Sequence, residues 1–290
     1  MTINPPLFTV RGFLKLTRTG NLVIMTLTQI MTALFLLNKS IEEIFSLRFL
    51  VLVVSTGFIA AAGYVINDYY DVKIDYINKP DRVVVGRLMK RRTAMFLHIF
   101  LTGCALLMGV WLSWSIFFIH LATSFFLWLY SNTFKRLPFW GNLTVGILTG
   151  LCVFVVGIFF DAYPWSLYVY SGFAFFFTLI REIIKDIEDR FGDERFGCRT
   201  LPVLWGVRKT KIFILLLMVA FSATLVIVNM PLMSYQKQFY LFIIIVLEII
   251  LSVFLYRADK TKHFHQLSVF CKGIIVAGVI SMVFNSSMEW

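Results

Sequence analysis

Long apolar runs, broken by short polar segments, recur along the whole chain. Nine of them approach the roughly 20 residues that a helix needs to cross a bilayer core. They are Thr19–Leu37, Phe49–Ile66, Ala94–Trp111, Ser115–Tyr130, Leu143–Phe160, Trp165–Ile184, Ile212–Met230, Phe239–Tyr256 and Leu267–Phe284. The third and fourth are separated only by Leu112-Ser113-Trp114, which predicts a tight helical hairpin. Trp140, Trp165 and Trp290 fall near other boundaries, where an aromatic belt would place them. The pattern predicts an all-α, polytopic membrane protein of about nine spans, forming one domain over residues 1–290.

Composition agrees. Of 290 residues, 59% are hydrophobic and only 15% charged, with a mean hydropathy of +0.82. A soluble domain carries about a quarter charged residues, so a soluble enzyme, a disordered regulator and a nucleic-acid-binding module are excluded. The four cysteines have neither disulfide-scaffold nor metal-ligand spacing. The segment before the first span contains Pro5-Pro6 and no apolar core with a cleavage site, so no cleaved signal peptide is expected.

A net charge of +11 is first a statement about topology. With the N-terminus in the cytoplasm, every Lys and Arg except Lys39, Arg48 and Lys237 falls on the cytoplasmic side of the nine spans. A wrong span count would scramble that partition. The basic excess therefore needs no nucleic acid, and the expected location is the cell inner membrane.

The acids are the unusual feature. Ten of the 16 Asp and Glu lie in two short windows on the cytoplasmic side, after the second and sixth spans. Asp68, Asp71 and Asp75 stand at positions 0, 3 and 7 of the first window; Asp186, Asp189 and Asp193 repeat that spacing in the second. Each pair is offset by 118 residues (Asp68 to Asp186, Asp71 to Asp189, Asp75 to Asp193). On a helix this spacing keeps three carboxylates on one narrow face. It implies a parallel internal repeat, with halves near 19–135 and 141–256 followed by a last helix at 267–284.

Aligned carboxylates repel one another unless cations sit between them. Hard oxygen ligands suit Mg²⁺, which bridges one or two carboxylates to substrate phosphates. For one motif, a solvated helix end paired with nearby Lys and Arg is an equal alternative; two identically spaced copies on one side favour a metal–phosphate site. Basic residues interleave with these rungs, and Arg18, Lys135 and neighbouring Asn21 stand at the ends of their own spans, where they could meet phosphate oxygens.

At these residues the chain resembles the UbiA superfamily of intramembrane prenyltransferases. Asn67-Asp68-x-x-Asp71-x-x-x-Asp75 matches the family's first aspartate-rich motif, continued by Asn78-Lys79-Pro80-Asp81-Arg82. Asp189-x-x-x-Asp193, with Asp186 as an additional acid, matches the second. Tyr130-Ser131 to Lys135, Gly141-Asn142 and Gly197-x-x-Thr200-Leu201-Pro202 also resemble it. The resemblance implies helices around a central cavity and two Mg²⁺ holding an isoprenyl diphosphate. By it, Asn67, Asp68, Asp71 and Asp75 serve one metal, and Asp186, Asp189 and Asp193 the other. Asp68, Asp71, Asp186 and Asp189 are the catalytic set. Arg18, Asn21, Asn67, Arg82, Lys135, Lys185 and Arg199 contact the diphosphate.

The run Arg181-Glu182-Ile-Ile-Lys185-Asp186-Ile-Glu188-Asp189, with Cys198-Arg199-Thr200-Leu201-Pro202-Val203, resembles the branch that alkylates geranylgeranylglyceryl phosphate to make ether lipids. The implied partners are an isoprenyl diphosphate, a lipid-like acceptor and membrane lipids. An aromatic acceptor of the hydroxybenzoate or dihydroxynaphthoate type is the alternative. A secondary transporter is the rival from another class, although its site would lie near the midplane. Glu248, midway along the eighth span, is an acid at a costly depth, a functional candidate or a structural acid, and is left outside the site. Tyr64 and Tyr130 are the aromatic residues nominated to shelter a carbocation.

Overall fold

A computed structural model describes residues 9–78, 80–229 and 235–285, with the side chains of residues 82, 228, 229, 235–241 and 285 outside the description. Among the described residues the chain forms eleven α-helices: α1 (Val10–Leu16), α2 (Thr19–Met31, continued by a π turn over Thr32–Leu36), α3 (Ile41–Ile44), α4 (Leu47–Asn78), α5 (Arg91–Leu112), α6 (Trp114–Asn132), α7 (Trp140–Phe160), α8 (Trp165–Arg195), α9 (Leu201–Asn229), α10 (Tyr235–Arg257) and α11 (Thr261–Ser281). Eight are long and apolar enough over their described residues to cross a membrane. The eighth predicted span, Phe239–Tyr256, falls on α10. Met230 and Trp290 lie outside the described residues.

Turn chemistry explains the tight α5–α6 hairpin. Ser113 alone connects the helices, and its hydroxyl accepts from the Ile116 N–H to cap α6. Arg48, one of the cations left off the basic side, donates from Nη2 to the Leu112 carbonyl at 2.9 Å and satisfies the end of α5.

Two helices are central. In α4 and α8, 56% of the apolar window is buried inside the protein, against 17–39% in the other six. Phe177, Ile180, Ile183 and Ile184 of α8 are fully buried in a core shared with α9, α10 and α11. Phe49 and Leu52 of α4 anchor a second core with α2, α6 and α7. Buried polar pairs lock α4 to its other neighbours: His120 Nε2 meets Ser55 Oγ at 2.8 Å, and His98 Nδ1 meets the Ala62 carbonyl at 3.0 Å. These two histidines are structural.

Small residues set the α7–α8 spacing, as in many membrane helix pairs. A Cβ added at Gly150 would stand 2.9 Å from the Ser171 carbonyl oxygen, and one at Gly146 3.2 Å from that of Phe175. Only glycine lets the two backbones approach this closely.

Helix length then positions the acids. A bilayer core takes up about 20 helical residues, or about 30 Å. α4 and α8 have 32 and 31 residues, roughly 46–48 Å at 1.5 Å per residue. Both continue without a break past their apolar windows, and the aspartates ride on these extensions. Their starts, Leu47 and Trp165, are offset by the same 118 residues as the aspartates.

Gly150→Leu should destabilise the protein by about 1–3 kcal/mol through overpacking. Gly172, where an added Cβ meets nothing within 4 Å, provides the control. Unfolding of both variants in detergent checks this: loss of stability in G150L and little change in G172A are expected.

Candidate functional site

Asp68 and Asp71, on the extension of α4, each meet a cation delivered by another helix. Arg18, in the left-handed conformation at the start of α2, donates from Nη2 to Asp68 Oδ1 at 2.9 Å. Lys135, in the turn after α6, forms a close ion pair with Asp71. Both carboxylates are largely buried, with 13% and 14% of their side chains exposed. Buried carboxylates are costly unless paired, so these contacts resolve a repulsion that the motif itself creates.

The second motif is held differently. Asn142, near the start of α7, donates from Nδ2 to Asp186 Oδ2 at 2.7 Å. Glu182, one turn earlier and 7% exposed, takes an ion pair from Arg181 and another from Lys185, both at 2.6 Å. Thr200 Oγ1 lies 3.5 Å from Asp193 Oδ2, and the Cys198 N–H donates to the Asp193 carbonyl. Burial, with Asp193 beside it, pushes the Cys198 thiol up to about 11, so it remains a neutral thiol.

The two helix extensions touch. Asn78 Nδ2 donates to the Asp189 carbonyl at 3.3 Å, and a Cβ on Gly192 would fall 2.5 Å from Asn78 Cγ. Gly192 is therefore the notch that admits α4 against α8 at the level of the acids. Tyr130, near the end of α6, lies within electrostatic reach of Asp71, Asp186, Glu182 and Arg18. Cys198 is likewise within reach of Asp71, Asp193, Lys135 and Arg136. Asp71 thus shares Tyr130 as a neighbour with Asp186, and Cys198 with Asp193.

A further strand of polar contacts closes one side. The Arg18 guanidinium stacks 4.9 Å over the Tyr64 ring. Asn21 Nδ2 donates to the Tyr64 hydroxyl at 3.2 Å, while Lys272 of α11 donates to Asn21 Oδ1 at 2.7 Å. Arg181 is within electrostatic reach of Lys272.

Arg18, Asn21, Asn67, Lys135 and Lys185 all lie on the elements that build this space. Asp75, Asp189 and Asp193 continue the same rungs and have partners of their own. The Arg199 backbone N–H donates to the Arg136 carbonyl at 2.8 Å, and the residue is exposed. Arg82 ends a 3-10 turn over Pro80–Arg82, and its side chain, like residue Lys79, is outside the description. Arg181, Glu182, Lys272 and Asn142 were not among the expected site residues. A signal existed for three of them, since Arg181, Glu182 and Lys272 are charges inside predicted apolar spans.

Among the described residues, no three acids, histidines or cysteines stand close enough to form a ready-made ion cage. The donor set nevertheless fits Mg²⁺, which takes one or two carboxylates and completes its shell with water and phosphate oxygens. Asn67 Oδ1 is buried with no hydrogen-bond partner, a hard oxygen beside the acids that a cation would satisfy.

Asn78→Cys with Gly192→Cys, in a background lacking the four native cysteines, tests the α4–α8 contact. The two positions are in contact, so mild oxidation should crosslink the pair. A shift detected by proteolysis between the two sites and gel electrophoresis confirms the contact; no crosslink places the extensions apart.

Comparison with known proteins agrees with this architecture. The profile of the UbiA prenyltransferase family matches residues 26–285. Digeranylgeranylglyceryl phosphate synthase of Methanobrevibacter smithii is 31% identical, over 91% of this chain and 94% of its own. The Saccharolobus solfataricus enzyme of the same name is 34% identical, over 79% and 82%. A solved digeranylgeranylglyceryl phosphate synthase superposes with a TM-score of 0.70 at 24% identity, covering 95% of this chain and 99% of that one. An Archaeoglobus fulgidus UbiA homologue bound to GPP and Mg²⁺ gives 0.68 at 16% identity, covering 94% and 99%. The chain is an all-α integral membrane protein and an enzyme that transfers prenyl groups, a member of the UbiA prenyltransferase family.

Proposed function

We propose that this prenyltransferase uses Mg²⁺ to move a prenyl group from an isoprenyl diphosphate to geranylgeranylglyceryl phosphate, at the cytoplasmic face of the membrane. The observation that carries the reading is the contact of the two acidic helix ends at Asn78 and Gly192, with Tyr130 within electrostatic reach of both Asp71 and Asp186. The matched 118-residue offsets of helix starts and acids support two repeated halves that each contribute one rung.

Asp68, Asp71 and Asp75 with Asn67 would hold one Mg²⁺, and Asp186, Asp189 and Asp193 another; when bound, the metal would supply Lewis-acid stabilisation of the departing diphosphate. Lys135 and Arg18, released from their carboxylates when the donor arrives, hydrogen-bond the diphosphate oxygens. The bond from the allylic carbon to the diphosphate oxygen breaks, and the electron pair leaves with the diphosphate. Tyr64 and Tyr130 present aromatic faces to the allylic cation, which they stabilise without reacting with it. The acceptor hydroxyl oxygen closes the ether bond, and its proton passes to the diphosphate.

A glycerophosphate acceptor needs cations of its own. Lys272, Arg181 and Lys185 line the same space, and Glu182 neutralises only part of their charge. A hydroxybenzoate or dihydroxynaphthoate acceptor carries a single carboxylate charge, whereas a phosphate monoester carries about two, so the surplus of cations favours the phosphate. The similarity to enzymes named digeranylgeranylglyceryl phosphate synthase points the same way.

Purified protein incubated with Mg²⁺, labelled prenyl diphosphates and a panel of acceptors should form an ether product with geranylgeranylglyceryl phosphate and none with hydroxybenzoate. Prenylated aromatics, or solute flux without diphosphate release, would contradict the proposal. Asp68→Ala and Asp186→Ala should each lower turnover by at least about 100-fold while the unfolding midpoint stays within a few degrees. Lys272→Met should raise KM for the phosphate-bearing acceptor roughly tenfold or more, the weight of one charge-assisted hydrogen bond. KM for the donor diphosphate should not change.

A further inference from the structure

A groove of about 760 Å³ runs along the seam between α2 and α4. Leu22, Ile30 and Leu34 of α2 form one wall, and Val54 and Gly57 of α4 the other. It belongs to a different face of α2 from the acidic site. Arg18 and Asn21 turn toward Asp68 and Tyr64, and Gln29 toward Thr56 and the Cys152 carbonyl. α1 bounds the end beside the acidic rungs through Leu14, and α3 bounds the other through Phe45.

The lining suits hydrocarbon. The hydroxyls of Thr17 and Thr19, which also line it, are spent on the Phe13 and Leu14 carbonyls of α1. Leu22 to Leu34 covers roughly 18 Å at 1.5 Å per residue, close to the depth of one leaflet, about half of a 30 Å core. A chain lying between two helices gains dispersion contacts on both sides, which one on a convex helix face does not. Charge tells the ends apart. Exposed Arg11 stands one helical turn from Leu14 at the α1 end, whereas exposed Glu42 stands one turn from Phe45 at the α3 end. Lys39 and Arg48, the cations nearest Glu42 in sequence, are engaged by Glu43 and the Leu112 carbonyl. An anionic head therefore fits the α1 end, where Lys15, bonded to the Asp81 carbonyl, adds positive charge.

We propose that the α2–α4 groove is a binding site for one chain of an anionic membrane phospholipid, whose head lies at α1 beside Arg11. The site is separate from the proposed transfer site and does not depend on that assignment.

Full-length protein in phosphatidylcholine vesicles, photolabelled with trace phosphatidylglycerol or phosphatidylcholine bearing a diazirine on one acyl chain, tests this. Phosphatidylglycerol should label groove residues of α2 and α4. Phosphatidylcholine should label them about fivefold less, the weight of one basic residue near the membrane surface. Arg11→Gln should remove most of that preference, and Glu42→Gln should leave it. Gly57→Leu should lower labelling roughly tenfold by displacing about two methylenes of the chain; a Cβ there meets Met25 Cε at an ordinary 3.9 Å. Val54→Trp, on the exposed rim, should do the same if G57L fails to fold. Gly103→Leu, in open space on α5, should change nothing. Equal labelling by the two lipids, an unchanged preference in R11Q, labels spread evenly around the helices, or undiminished labelling of V54W would each overturn the proposal. So would a disulfide, in a background lacking the native cysteines, from Val54→Cys to Leu7→Cys or to a second copy of V54C. Either would make the start of the chain or another copy the occupant.

Discussion

Mutual repulsion of carboxylates at one edge of an apolar slab is the constraint around which the rest of this molecule is arranged. α4 and α8 are the most buried of the eight membrane-length helices compared among the described residues, and both carry aspartates just past the length that hydrocarbon can cover. Left alone, the acidic rungs would push the helices apart or hold protons. Here Arg18, Lys135 and Asn142 each arrive from a different helix or turn to meet one carboxylate. Gly192 removes the side chain that would keep Asn78 away. The cations that quiet the resting site have the same chemistry that the proposed diphosphate donor requires, so under that proposal one charge arrangement would serve both stability and binding.

Much of the fold was legible in the sequence because two periods are strong. Apolar runs of bilayer length gave the spans, and the Ser113 hairpin followed from a gap too short for anything else. The spacing of the aspartates was informative because it occurred twice. Helix ends were less legible: the apolar pattern stops near Ile66 and Ile184, while the helices run on to Asn78 and Arg195. Hydropathy reports where lipid ends, and helical hydrogen bonding continues beyond it.

The site was legible along single helices and obscure between them. Asn142 reaches Asp186 across 44 residues and Lys272 reaches Asn21 across 251. No local pattern encodes such partners. Lys272 was nonetheless visible as a lone cation inside an apolar span, a position with a high cost and hence a role. It was instead counted toward the topological charge. At Arg199 the structure adds what no motif shows, a backbone bond that ties its loop to Arg136.

Calorimetric titration of a non-cleavable isoprenyl diphosphate analogue, with and without Mg²⁺, tests the central claim most directly when run on wild type, Asp68→Asn, Asp186→Asn and the double variant. If both rungs grip one diphosphate, binding requires Mg²⁺, each single variant loses most of the affinity, and the double variant loses little more. Metal-independent binding, or losses that simply add, would contradict it.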